Sequence, residues 1–172
     1  LDATGAWNKV ITDKKELSGL PESAIGLAIQ TAKQRGEEGF MLTLDMPSYI
    51  PVMSYCDNRD LRKEMYDAFS TRASDTGPGA GQWDNSELIS EILKLRRELS
   101  MLLGFENFAE KSLATKMADT PDQVLAFLNE LAAKSKPVAE KEFAEICDFA
   151  MKEYGVSELQ AWDAPYYAEK LK

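Results

Sequence analysis

No histidine occurs among the 172 residues. That absence excludes a Ser-His-Asp triad, a Cys-His pair and a histidine general base. It also excludes zinc sites built on histidine ligands. Cysteine is scarce: Cys56 and Cys147 stand in separate segments, with no CxxC. They form no disulfide framework, and a reducing, cytoplasmic setting fits. No apolar run approaches transmembrane length, and the start carries no signal-peptide pattern. Positive charge is in deficit, with 20 Lys and Arg against 29 Asp and Glu. The net charge is −9 and the isoelectric point about 4.7. A basic face for nucleic acid is therefore not expected, nor docking on an anionic membrane. Basic or neutral partners, cationic peptides included, remain compatible.

What is present suits a packed domain: 44% hydrophobic residues, 9% of the chain being aromatic. The expected fold is mainly α, a multi-helix domain with at most one short strand or hairpin near residues 40–45. "TDKKELSG" reads as a short helix or turn capped by Asp13, with Glu16 three residues on and Gly19 ending it. "LPESAIGLAIQTAKQRG" starts a helix at Pro21, with Ile25, Leu27, Ala28 and Ala32 on its apolar side and Gly36 as its stop. "FMLTLD" is the strand candidate, set to pair with a neighbour or with sequence beyond the chain. "PSYIPVMSYC" and "NRDLRKEMYDAFSTR" read as helices, the second with Leu61, Met65, Ala68, Phe69 and Arg72 at helical spacing.

Further on, Leu88, Ile92, Leu95, Leu99 and Leu102 form a stripe after a cap at Asp84 or Asn85, and Gly104 ends that helix. "NFAEKSLATKM" is a short helix. A longer one opens with Thr120 as cap and Pro121 at its first position. Its buried side is expected at Val124, Phe127, Leu128, Leu131, Val138, Phe143, Ile146, Cys147 and Ala150. Pro137 predicts a kink there, or two consecutive helices. A last helix follows Asp163. Strands and helices do not alternate, so a doubly wound dinucleotide fold is not expected.

The most chemical-looking stretch is "STRASDTGPGAGQWDN", residues 70–85, with glycines at 77, 79 and 81 before a helix. A phosphate loop of the Walker type ends in Gly-Lys-Ser/Thr. Here Gln82, Trp83 and Asp84 follow Gly81, and no Lys or Arg lies between Arg72 and Lys94. Asp75, Asp84 and Glu87 would repel phosphate. The loop, residues 74–82, therefore reads as a mobile helix–helix connection. The Glu87/Glu91 pair reads as part of a solvated helix face, and "DNRD" lacks the glycine and closing Glu of an EF-hand loop. Cys56 and Cys147 sit among apolar residues and read as packing groups. Tyr49, Tyr55, Tyr66 and Phe69 do likewise.

Three stretches carry a family resemblance: "LTLDMPSYIPVMSYCDNRDLRKEMYDAFSTRAS", "LLGFENFAEKSLATKMADTPDQVLAFLNEL" and "AWDAPYYAEK". In order and spacing they resemble the thimet oligopeptidase family of zinc metallopeptidases, from about Trp7 onward. The resemblance implies a largely helical, two-lobed enzyme whose deep channel admits short peptides. It implies a zinc ion held by an H-E-x-x-H helix and a downstream glutamate, the Glu of that motif activating the metal-bound water. This chain has none of those residues, so no catalytic, cofactor-binding or metal-binding residue is assigned here.

Residues 1–172 are expected to be one helical segment of a larger peptidase, inactive alone, with the remainder of the polypeptide as its partner. A start at Leu1 without Met and a stop at Lys172 inside a helical pattern agree with that expectation. The alternative is a free-standing acidic helical interaction module.

Overall fold

The computed structural model describes all 172 residues. Helices dominate, as expected. In chain order they are α1 (Asp2–Ala6), α2 (Glu22–Gln34), α3 (Met46–Tyr55), α4 (Arg59–Ser70), α5 (Ser86–Leu102), α6 (Phe108–Leu113), α7 (Pro121–Tyr154) and α8 (Ala164–Leu171). Two strands, β1 (Asn8–Ile11) and β2 (Phe40–Thr43), complete the fold with a short 3-10 turn at Lys14–Leu17.

The strand expected near residue 40 forms. Its partner β1 lies upstream, antiparallel, in the register Asn8↔Thr43 to Ile11↔Phe40. The 3-10 turn and α2 separate the two in sequence, so the pair is not a hairpin. Gly39 permits the close approach at the ladder's end. Its φ is +97°, and a Cβ there would lie 2.5 Å from the Ile11 carbonyl oxygen.

The chain forms two compact units. The first comprises Leu1–Asp84 and Glu145–Lys172; the second is Asn85–Ala144. The first holds the main core, which includes Ile11, Leu17, Ile25, Leu42, Val52, Leu61 and Met65. Helix α2 turns Ile25, Ala28 and Ala32 into it at spacings of three and four. A Schellman closure ends α2: Glu37 N–H donates to the Ala32 carbonyl at 2.9 Å and Gly36 N–H to Lys33 at 3.2 Å, with Gly36 at φ +77°. The Asn58 side chain caps α4 by accepting from Leu61 N–H. Asp13 caps the 3-10 turn by accepting from Lys15 N–H.

The second unit is different. Between residues 85 and 144 only Ser100 is buried. The α5 stripe exists, but Leu88, Ile92, Leu95, Leu99 and Leu102 all face solvent. The buried side expected for α7 is corrected in the same way: Phe127, Leu128, Leu131, Val138 and Phe143 are exposed. Of the residues named for that side only Ala150 is buried, with Val124, Ile146 and Cys147 half-buried. Periodicity reports that a stripe exists, not that anything covers it.

Helix α7 begins as expected, with Gln123 N–H donating to Thr120 Oγ1 at 3.2 Å and Pro121 at the first position. It runs through Pro137 as one helix of 34 residues rather than two. The flanking Ala, Lys and Glu residues are strong helix formers; the i,i+4 pair Glu130–Lys134 precedes the proline and the pair Lys136–Glu140 spans it.

The glycine-rich segment links α4 to α5 through a series of turns. Gly77 and Gly81 take φ values of +87° and +75°. At Gly77 a Cβ would lie 1.9 Å from Thr71 Oγ1, so this glycine is needed for contact as well as for conformation.

Candidate functional site

Within the first unit, α4 and the chain leading into α8 meet on one carboxylate. Asp163 is fully buried. It accepts from Arg59 Nε at 3.0 Å and Nη2 at 2.6 Å, from Arg62 Nη2 at 2.9 Å and from Gln160 N–H at 3.0 Å. Arg59 and Arg62 stand three apart on α4, and one face of a helix therefore presents both. Arg62 is itself buried and donates through Nη1 to the Cys56 carbonyl at 2.7 Å. Every buried polar side-chain atom in the chain has a partner.

A second group adjoins this one. The Arg62 guanidinium lies 4.0 Å from the Tyr166 ring centroid. The Tyr166 hydroxyl donates to Asp57 Oδ1 at 2.8 Å, Ser18 Oγ donates to Asp57 Oδ2 at 2.8 Å, and Lys170 Nζ stands 3.5 Å from Asp57 Oδ1.

Burial alone would raise the pKa of Asp163. The hydrogen bonds from Arg59, the Gln160 backbone and Arg62 outweigh it and hold the carboxyl below the ordinary Asp value. Asp57 is lowered too: burial opposes, while Tyr166, Ser18 and Lys170 favour the carboxylate. Tyr166 is pushed far up, first by burial and then by donating to Asp57. The Cys56 thiol is pushed up by burial.

Beside the Asp163 junction, a cleft of about 470 Å³ opens between α4 and the segment 155–162. Arg59, Asp60 and Lys63 form one wall; Gly155–Glu158, Gln160 and Trp162 form the other. Lys63 Nζ sits 5.2 Å from the Trp162 ring centroid, and Tyr66 packs against the same ring at 5.8 Å. This arrangement can hold charge of both signs next to an aromatic surface.

No site residue was assigned from the sequence, so these groups are the ones that reading missed. The local signals were present: two arginines three apart in "NRDLR", and an Asp in cap position before Pro165. Their meeting depends on residues about a hundred positions apart. Of the groups weighed earlier, Cys56 is buried and Cys147 half-buried, both with free thiols. Tyr49 stacks on Phe69 at 4.2 Å, and the Tyr55 hydroxyl donates to Glu169 at 3.3 Å. Glu87 and Glu91 stay exposed on α5. No three His, Cys, Asp or Glu side chains are grouped so as to hold a metal ion, and the residues present do not fit a zinc site. No helix is long and apolar enough to cross a membrane.

Comparison with known proteins gives this framework its context. The chain is 60% identical over its whole length to oligopeptidase A of Salmonella typhimurium and, equally, to oligopeptidase A of Escherichia coli. It is 55% identical to oligopeptidase A of Haemophilus influenzae. In each case it spans 25% of the relative's length. At greater distance it is 28% identical to the dipeptidyl carboxypeptidase of Escherichia coli. The profile described as peptidase family M3 matches residues 52–172, which include the whole Arg59–Arg62–Asp163 junction. The chain belongs to peptidase family M3.

Proposed function

We propose that this chain is a framework segment of a zinc-dependent oligopeptidase that hydrolyses short peptides in the cytoplasm, and that it lends helices to the walls of the substrate channel. The observation that carries the reading is 60% identity along the entire chain to proteins named oligopeptidase A. The chemistry of the chain agrees with a supporting part: no histidine and no metal-holding cluster, with its buried polar groups satisfied internally. In this reading the zinc ligands and the general base belong to other segments of a longer polypeptide. The solvent-facing apolar stripes of α5 and α7 suit helices that pack against such segments.

The test is to express the longer reading frame that contains residues 1–172 and to assay cleavage of short synthetic peptides. Hydrolysis abolished by a chelator and restored by zinc is expected. A longer polypeptide that cleaves no short peptide, or cleaves one regardless of chelator, removes the reading.

A further inference from the structure

The cleft beside the Asp163 junction has the size and the mixed charge of a small-molecule site. At about 470 Å³ it falls within the range of ligand pockets, roughly 300–1,000 Å³. Its chief cation is held in place from behind. Arg59 gives Nε and Nη2 to the fully buried Asp163, so its guanidinium is fixed before any ligand arrives, and half of the side chain stays exposed. Asp163 is shared with Arg62, so one carboxylate balances two guanidiniums and the junction keeps a net positive charge. Lys63, one helical turn on, adds a second cation above the Trp162 ring, tethered by Asp67 at 2.6 Å. Asp60 lines the same wall and Glu158 the opposite one, where Gln160 Nε2 donates to it at 3.1 Å.

A purely anionic ligand would meet Asp60 and Glu158, and a purely cationic one would meet Arg59 and Lys63. A zwitterion satisfies both. We propose that this cleft binds a zwitterionic ligand of dipeptide size, its carboxylate on Arg59 and Lys63, its ammonium against Asp60 and Glu158, and its side chain along Trp162. It is a non-catalytic site. That the natural ligand is a peptide rests on the oligopeptidase reading; recognition of a zwitterion rests on the cleft alone.

The probe is the dipeptide Ala-Leu, compared with its C-terminal amide and its N-acetyl form. Each is titrated into the 172-residue chain while the Trp162 indole and the backbone amides of residues 155–160 are followed by NMR. The expected result is saturable shifts with a dissociation constant of about a millimolar for Ala-Leu, and binding roughly tenfold weaker for either blocked form. Lys63→Gln and Glu158→Gln lie outside the buried junction. Each is expected to weaken Ala-Leu several-fold while leaving the thermal unfolding transition in place. Equal affinity for free and blocked dipeptides, no saturable shift in the unaltered chain, or unchanged binding in both variants overturns the proposal. Dipeptide binding to this chain with no peptidase activity in the longer polypeptide sinks the peptidase reading and leaves the cleft. Activity without binding does the reverse.

Discussion

Asp163 tethers the chain before α8 to α4, and its contacts set what happens when it is changed. Removing its charge leaves Arg62, which is 1% exposed, without its anion. Breaking a buried pair from one side typically costs about 3–5 kcal/mol. Asp163→Asn is therefore expected to lower stability by that order in urea unfolding, and a variant within about 0.5 kcal/mol of the unaltered chain would contradict the assignment. The pH dependence has a definite sign. The folded pKa values of Asp163 and Asp57 lie below their unfolded values, so the stability they contribute is fully present above the ordinary Asp pKa, about 3.9. It is lost as pH falls through the lowered folded values. Acid titration of stability should show this loss below about pH 4, and Asp163→Asn should reduce its steepness.

Gly19 is the sharpest backbone requirement. Its φ is +87°, and a Cβ would stand 2.1 Å from the Tyr55 carbonyl oxygen. Gly19→Ala should cost more than about 1 kcal/mol, measured by the same unfolding experiment. This residue was legible in the sequence as a stop signal, because the demand is local. The Asp163 junction was not, because its partners are brought together only by the fold.

Among the elements, the signals that worked were short-range ones. Caps at Asp13 and Thr120 and the closing glycines at 36 and 104 were legible because each acts within one helical turn. Strand β1 escaped notice: "NKVI" is four residues long, two of them polar, and its pairing with β2 is non-local. The stripes of α5 and α7 were seen, but their exposure was not, since burial depends on what lies opposite. A paired substitution separates the two situations. Leu61→Ala, at a 3% exposed core position, should cost about 2–5 kcal/mol. Leu95→Ala, at a 54% exposed position, should change the stability of this chain by no more than about 0.5 kcal/mol. Comparable losses at both positions in chemical denaturation would mean that α5 is covered in solution.

For the whole molecule, fold class was readable from helical periodicity and family membership from the order of three segments, and the proposed supporting role rests on 60% identity to proteins named oligopeptidase A. A chain with no histidine and no grouped metal ligands cannot assemble a zinc site of the H-E-x-x-H kind. We propose that catalysis in the longer polypeptide is carried by residues outside these 172. The most direct measurement places the purified 172-residue chain, with added zinc, in the short-peptide hydrolysis assay used for the longer polypeptide. No turnover above the rate without protein is expected. Chelator-sensitive hydrolysis by the 172-residue chain alone would contradict it.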